Sequence, residues 1–176
     1  MKEPNEKSVS WRMRPVPSLG VIFRHAHDMM WGCVFGFCSP SVLVGGFIDD
    51  KNRLIICSEA KCEGSNNTEE GIYQTFYDNY FGDNPIYASP EQDMMIGRMQ
   101  KRGLPVKPCK TKRGFHLKAM DVLRGSREII IDPQRCPNEC RMFVEQAAGR
   151  GIADIDGACS PESDALICCV SPLIRK

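Results

Sequence analysis

Apolar and polar positions alternate along the chain in two rhythms, a period of two and a period near 3.6. Residues 41–48, Ser-Val-Leu-Val-Gly-Gly-Phe-Ile, and residues 53–59, Arg-Leu-Ile-Ile-Cys-Ser-Glu, have the β-branched content of strands. Asp49-Asp50-Lys51-Asn52 between them is a turn cluster, so the pair predicts a hairpin. An earlier strand is expected within residues 31–37, and 20–24 reads as another. Asn66 or Asn67 and Thr68 offer helix caps, with Glu69 and Glu70 in the favourable first turn. Ile72, Phe76, Tyr77 and Tyr80 would share one face of that helix. A strand at 85–88 leads to a helix at 91–102, whose Met94, Met95, Ile96 and Met99 are expected to face inward and which Gly103 closes. Strand 104–107, helix 115–124, strand 128–132 and helix 137–148 follow, punctuated by Pro133 and Pro137, and Ser160-Pro161 opens a last short helix. Strands in a meander, then strands alternating with helices, predict an α/β fold: a mixed sheet flanked by helices.

Composition narrows this picture. The 176 residues, 42% of them apolar, suit one domain with a real core. No apolar run reaches the ~18 residues of a membrane span, and the polar start of the chain lacks the apolar stretch of a secretory signal. Residues 1–18, with Pro15-Val16-Pro17 near their end, are expected to form a flexible lead-in to a domain at 19–176.

Ten cysteines sit mostly inside apolar runs, as in Ile55-Ile56-Cys57 and Leu166-Ile167-Cys168-Cys169-Val170, and are read as reduced, packed thiols. Zinc is the alternative: Cys136-x-x-x-Cys140 has the spacing of half a site, but the chain holds no Cys-x-x-Cys pair.

Net charge is only +1, yet it is segregated. From Asp49 to Asp93 ten acids face three bases; from Arg98 to Glu128 ten bases face two acids. This division suits an enzyme of nucleic acids, with acids for metal and bases for phosphate, although solvated surface gives the same pattern. Lys110, Lys112 and Arg113, in a dense stretch ended by Gly114, are the candidate phosphate-contacting residues.

Several segments then carry a resemblance. Pro40-Ser41-Val42-Leu43-Val44-Gly45-Gly46 and, past the turn, Leu54-Ile55-Ile56-Cys57-Ser58-Glu59-Ala60 are similar to the second and third strands of the ribonuclease H-like nuclease domain of tailed-bacteriophage large terminases. Ile86-Tyr87-Ala88-Ser89-Pro90-Glu91 resembles that family's Ala-Asp-Ser-Ala-Glu-Pro segment. Ile96, Met99 and Gly103-Leu104-Pro105-Val106, followed by Lys110 and Lys112, resemble the helix, strand and lysine loop behind it. Ser163-Asp164-Ala165-Leu166 resembles the terminal Asp-Ala-Leu-Arg-Tyr signature. The resemblance spans residues 20 to 172 and implies a ribonuclease H-like fold and endonucleolytic cleavage of double-stranded DNA during viral packaging. Two ions, Mg²⁺ or Mn²⁺, about 4 Å apart would flank the scissile phosphate. It also implies a portal and a small terminase subunit as partners, and the host cytoplasm as location.

The family takes its metal ligands from the first strand, the end of the fourth strand and the terminal helix. Here Gly32-Cys33-Val34-Phe35-Gly36 matches the first-strand Gly-x-Asp-x-Gly with Val34 in the aspartate's place, and Ser89 occupies the second aspartate position. Only Asp164 is kept, and Pro161 stands where some members have a histidine. Glu59 and Glu91, with Asp93 beside it, are candidate stand-ins; so is Asp28, next to His27, if residues 21–28 are the first strand. Catalytic candidates are thus Asp164, Glu59 and Glu91, and metal-ligand candidates Asp164, Glu59 and Asp28. The same acids have bland readings, as strand-end surface or as partners of a helix dipole. Two functions stay open: an endonuclease, impaired where acids are missing, and an inactive DNA-binding or assembly component. A resolvase or transposase core of the same fold is a third. The sequence has no Gly-x-x-x-x-Gly-Lys-Ser/Thr phosphate loop, so an excised domain, a split gene product and a prophage remnant are the expected origins.

Overall fold

The computed structural model describes residues 11–16, 18–110, 115–147 and 160–174. Seven strands form one mixed sheet: β1 (Trp11–Met13), β2 (Met30–Val34), β3 (Ser41–Ile48), β4 (Leu54–Cys62), β5 (Ile86–Ala88), β6 (Val106–Pro108) and β7 (Ile129–Ile131). Their order across the sheet is β1-β7-β4-β3-β2-β5-β6. The β2–β3–β4 meander is antiparallel, and β5, β6, β7 and β1 join it in parallel pairs.

The predicted hairpin forms because Asp49 organises its turn. Its Oδ1 accepts from the backbone N–H of Lys51 at 3.0 Å and of Arg53 at 2.9 Å, and Asn52 takes the left-handed conformation at φ 57°. One bulge, between Gly45 and Gly46 opposite β4, shifts the register. Before it Ile55 faces one layer of the core; after it Ala60 and Cys62 face that same layer, so the alternation changes parity.

Helices cover both faces. On one side lie α2 (Glu69–Asn79), capped by the Thr68 hydroxyl, and α3 (Asp93–Lys101). Their Ile72, Phe76, Met95, Ile96 and Met99 pack with Trp31, Leu43, Phe47 and Val106. On the other side lie α4 (Phe115–Gly125), α5 (Pro137–Ala147) and α6 (Pro161–Cys169). Met120, Leu123, Phe143 and Leu166 meet Val42, Val44, Ile56 and Ile129 there. Gly103, at φ 99°, stops α3 as expected.

Four expectations are corrected. Residues 20–24 are not a strand but lie in helix α1 (Leu19–Arg24), in which only Ile22 is buried. Both sides of β2 are taken by β3 and β5, so 20–24 cannot pair with the strand that follows them. Trp11–Met13, inside the expected lead-in, form β1: they pair with Ile129–Ile131, and Arg12 forms an ion pair with Glu128. Tyr77 and Met94 point to solvent, 57% and 53% exposed, because the buried faces of α2 and α3 are narrower than the apolar pattern suggests.

Candidate functional site

Strands β2, β5 and β6 run parallel through β5, and their carboxyl ends lie side by side, with Cys33 paired to Ala88 and Ala88 to Pro108. In open α/β sheets this edge is where ligands bind. A cavity of about 280 Å³ opens there, lined by Cys33, Val34, Ser89, Glu91, Asp164 and their neighbours.

The three positions expected to hold acids therefore meet at one place. Val34 ends β2 and Ser89 follows β5. Asp164 lies in the first turn of α6, whose Ser160 hydroxyl caps the helix by accepting from the Ser163 N–H at 3.1 Å. That helix rests directly on β2: a β-carbon added to Gly32 would lie 2.1 Å from the Cys169 nitrogen and 2.2 Å from the Ala165 oxygen. Only glycine allows the approach that carries Asp164 over the strand ends. Burial raises the Asp164 carboxyl above its usual 3.8, opposed by the charge of His116.

Glu91, exposed on the turn after Pro90, lines the same cavity. Gln92 fixes this wall. Its amide accepts from the Phe35 N–H at 3.2 Å and donates to the Phe35 carbonyl at 2.6 Å, tying the segment beyond β2 to the turn beyond β5. His116, in the first turn of α4, completes the lining with Phe115. Sequence reasoning passed over Gln92 and His116; the clue for His116 was an imidazole at a helix start directly after the lysine stretch.

The remaining candidates lie elsewhere. Glu59 does not line the cavity. The change of parity in β4 turns it toward α5, where its carboxylate accepts from the backbone N–H groups of Asn138 at 3.2 Å and Glu139 at 2.8 Å and from the Asn138 side chain. It caps that helix, and burial raises its carboxyl above the usual 4.5. Asp28 is exposed beyond the opposite end of β2, 3.4 Å from His25, and His27 pairs with Asp83. Residues 21–28 are thus not the first strand, and Asp28, before the amino end of β2, does not line the cavity. Lys110 is exposed just after β6. Lys112 and Arg113 lie outside the described residues.

The donor set does not fit two divalent ions. Mg²⁺ and Mn²⁺ favour several hard oxygens each. The cavity offers two carboxylates, Asp164 and Glu91, and Val34 contributes a hydrocarbon wall. Among the described residues no three His, Cys, Asp or Glu side chains are grouped to hold an ion. Cys136 and Cys140, the half-site for zinc, are buried beside Glu59 and Glu139. No helix among the described residues is long and apolar enough to cross a membrane.

No protein-family model and no curated protein sequence matches the chain. Solved structures do. The large terminase nuclease domain of bacteriophage SPP1, crystallised with bound Mn, superposes with a TM-score of 0.68 at 18% identity, over 93% of this chain and 96% of that one. The large terminase of the thermophilic bacteriophage D6E superposes with a TM-score of 0.58 at 13% identity, over 98% of this chain but 42% of its own length. Its ADP complex gives 0.61 at 13% identity. This chain therefore spans about two-fifths of the D6E protein. Its α/β architecture is the ribonuclease H-like fold of a large-terminase nuclease domain.

Proposed function

We propose that the chain is a terminase-type nuclease domain that engages double-stranded DNA at the Asp164 cavity, with divalent-metal-dependent cleavage weakened by two absent carboxylates. The observation that carries this is the convergence of Val34, Ser89 and Asp164 on one cavity at the carboxyl ends of β2 and β5. Three positions drawn from separate parts of the chain, the ones at which the terminase resemblance expects metal ligands, line this one cavity. The manganese bound to the SPP1 domain supports a divalent ion as cofactor. Asp164 and Glu91 are the acids available to hold one, Mg²⁺ or Mn²⁺; Glu59 serves α5 instead. Lys110, with Lys112 and Arg113, would grip phosphates. A portal and a small terminase subunit are the partners this role calls for, in the host cytoplasm.

The hydrocarbon of Val34 in the cavity wall favours a second reading, an inactive DNA-binding or assembly component of the same fold. A plasmid-nicking assay with Mn²⁺ separates the two. Slow nicking that Asp164→Ala abolishes is the expected result. Val34→Asp with Ser89→Asp should raise the rate at least tenfold, about 1.4 kcal/mol of barrier. No nicking by the parent, but gain in the double variant, selects the inactive reading. No nicking and no DNA binding by either protein overturns both.

A further inference from the structure

Beyond Val34, β2 runs into a short loop, Phe35-Gly36-Phe37-Cys38-Ser39-Pro40, before β3 begins at Ser41. Phe37 in this loop is 74% exposed, more than any other large apolar side chain among the described residues. An exposed apolar residue is ordinary by itself, but this one sits in a braced loop. Phe35 exchanges two hydrogen bonds with the Gln92 amide, and its ring is buried against Phe76, centroids 5.9 Å apart. The Gly36 N–H donates to the Ser41 hydroxyl at 3.0 Å. The Asn67 side-chain amide donates to the Gly36 carbonyl at 2.8 Å and to the Ser39 carbonyl at 2.9 Å. The chain folds back so tightly that a β-carbon added to Gly36 would lie 2.0 Å from the Ser39 oxygen.

The loop stands at the rim of the cavity. Gln92, which lines it, holds Phe35, and Phe37 follows two residues on, at most about 7 Å of chain. Phe37 is not part of the lining itself. None of the six loop residues is charged, so the loop offers a ligand an aromatic face and no cation for a phosphate. A ring on a braced loop loses little conformational freedom when it binds. Every nucleobase has a face on which such a ring can stack, and an unpaired base is free to use it.

We propose that Phe37 is a base-stacking residue: DNA whose backbone passes the Asp164 cavity lays an unpaired base on its ring. The domain then favours a duplex that carries a single-stranded stretch over a fully paired one. The inference rests on the reading of the cavity as a DNA site, and adds to it the form of DNA preferred and the residue that selects it.

The test follows binding of the full chain to two labelled DNAs by fluorescence anisotropy: a blunt duplex, and the same duplex with a single-stranded tail. The parent should bind the tailed DNA more tightly. Phe37→Ala should weaken that binding by about fivefold or more, the lower end of what one base stacked on an aromatic ring contributes, and should erase the preference. The log–log salt slope should stay the same, because no cation is removed. Phe37→Trp should bind at least as tightly as the parent. Phe37→Leu, apolar but without a π face, should behave as the alanine variant. Phe37 lies outside the core, so Phe37→Ala should keep the parent's urea midpoint; were it to unfold, the contrast between the tryptophan and leucine variants decides. The proposal is overturned if the parent binds both DNAs equally, if folded Phe37→Ala loses less than about fivefold or flattens the salt slope, or if Phe37→Leu keeps the parent's affinity. In each of those cases the parent still binds DNA and the reading of the cavity stands. Failure of the parent to bind either DNA removes that reading, and this proposal with it.

Discussion

Glu139 is fully enclosed, and neither of its carboxylate oxygens has a hydrogen-bond partner among the described residues. Burial first, then the nearby charges of Glu59 and Glu162, raise its carboxyl well above the usual 4.5. The sign follows from linkage. The folded protein holds this proton at pH values where the unfolded chain has released it, so stability falls as pH rises above about 4.5, toward the raised folded value. Each pH unit in that window costs about 1.4 kcal/mol. Glu139→Gln should leave stability near pH 4 unchanged and raise it at pH 8, flattening the profile read by urea denaturation. Asp164 gives a second test. His116 opposes the upward shift of its carboxyl, so, if Asp164 holds the proposed ion, His116→Ala should raise the pH below which Mn²⁺ binding is lost, as read by titration calorimetry. None of the chemistry at Glu59 was readable from sequence. Its partners Asn138 and Glu139 are some eighty positions away, and the bulge that turns it toward them leaves no local mark.

Helix α6 is the element on which the site depends. Its seat on β2 needs the bare backbone of Gly32. Gly32→Ala should cost about 3 kcal/mol or more, because the new methyl meets backbone atoms that cannot rotate away. Ser160→Ala removes the cap on the turn that holds Asp164 and should cost about 1 kcal/mol, read from thermal or denaturant unfolding. Most elements were legible because each carried its own periodicity and punctuation: Asp49 to Asn52 for the hairpin, Thr68 for α2, Gly103 for the end of α3. The exceptions depended on the rest of the sheet. Residues 20–24 have a strand's composition, but β2 already has two neighbours. Trp11–Met13 have little of a strand's composition, and β7 offers them an open edge.

Across the whole molecule the charge segregation of the sequence is partly closed by folding. Arg98 and Arg102 cross from α3 to Glu69 and Glu70 on α2, and Arg53 returns to Asp49, so these cations are engaged within the fold. Lys107, Lys110 and Lys118 are exposed, with Lys112 and Arg113 between them in sequence. If those cations contact phosphate, DNA affinity should fall steeply with salt. Replacing Lys110, Lys112 and Arg113 by alanine should flatten the log–log slope by about 0.9 for each phosphate no longer neutralised, measured by fluorescence anisotropy. The site was legible at this scale because strand ends converge whatever side chains they carry, and for that reason Val34 and Ser89 could be placed without being ligands. The chain also carries two tryptophans, one in each layer. Trp31 is sealed against Tyr80 and Phe81 on the α2–α3 side, while half-buried Trp11 leans on Phe143 on the α5 side. Ultraviolet emission can therefore follow the two layers separately. With Trp11→Phe the signal reports the α2–α3 layer alone, with Trp31→Phe the α5 layer, and a gap between their unfolding midpoints would reveal which side of the sheet opens first.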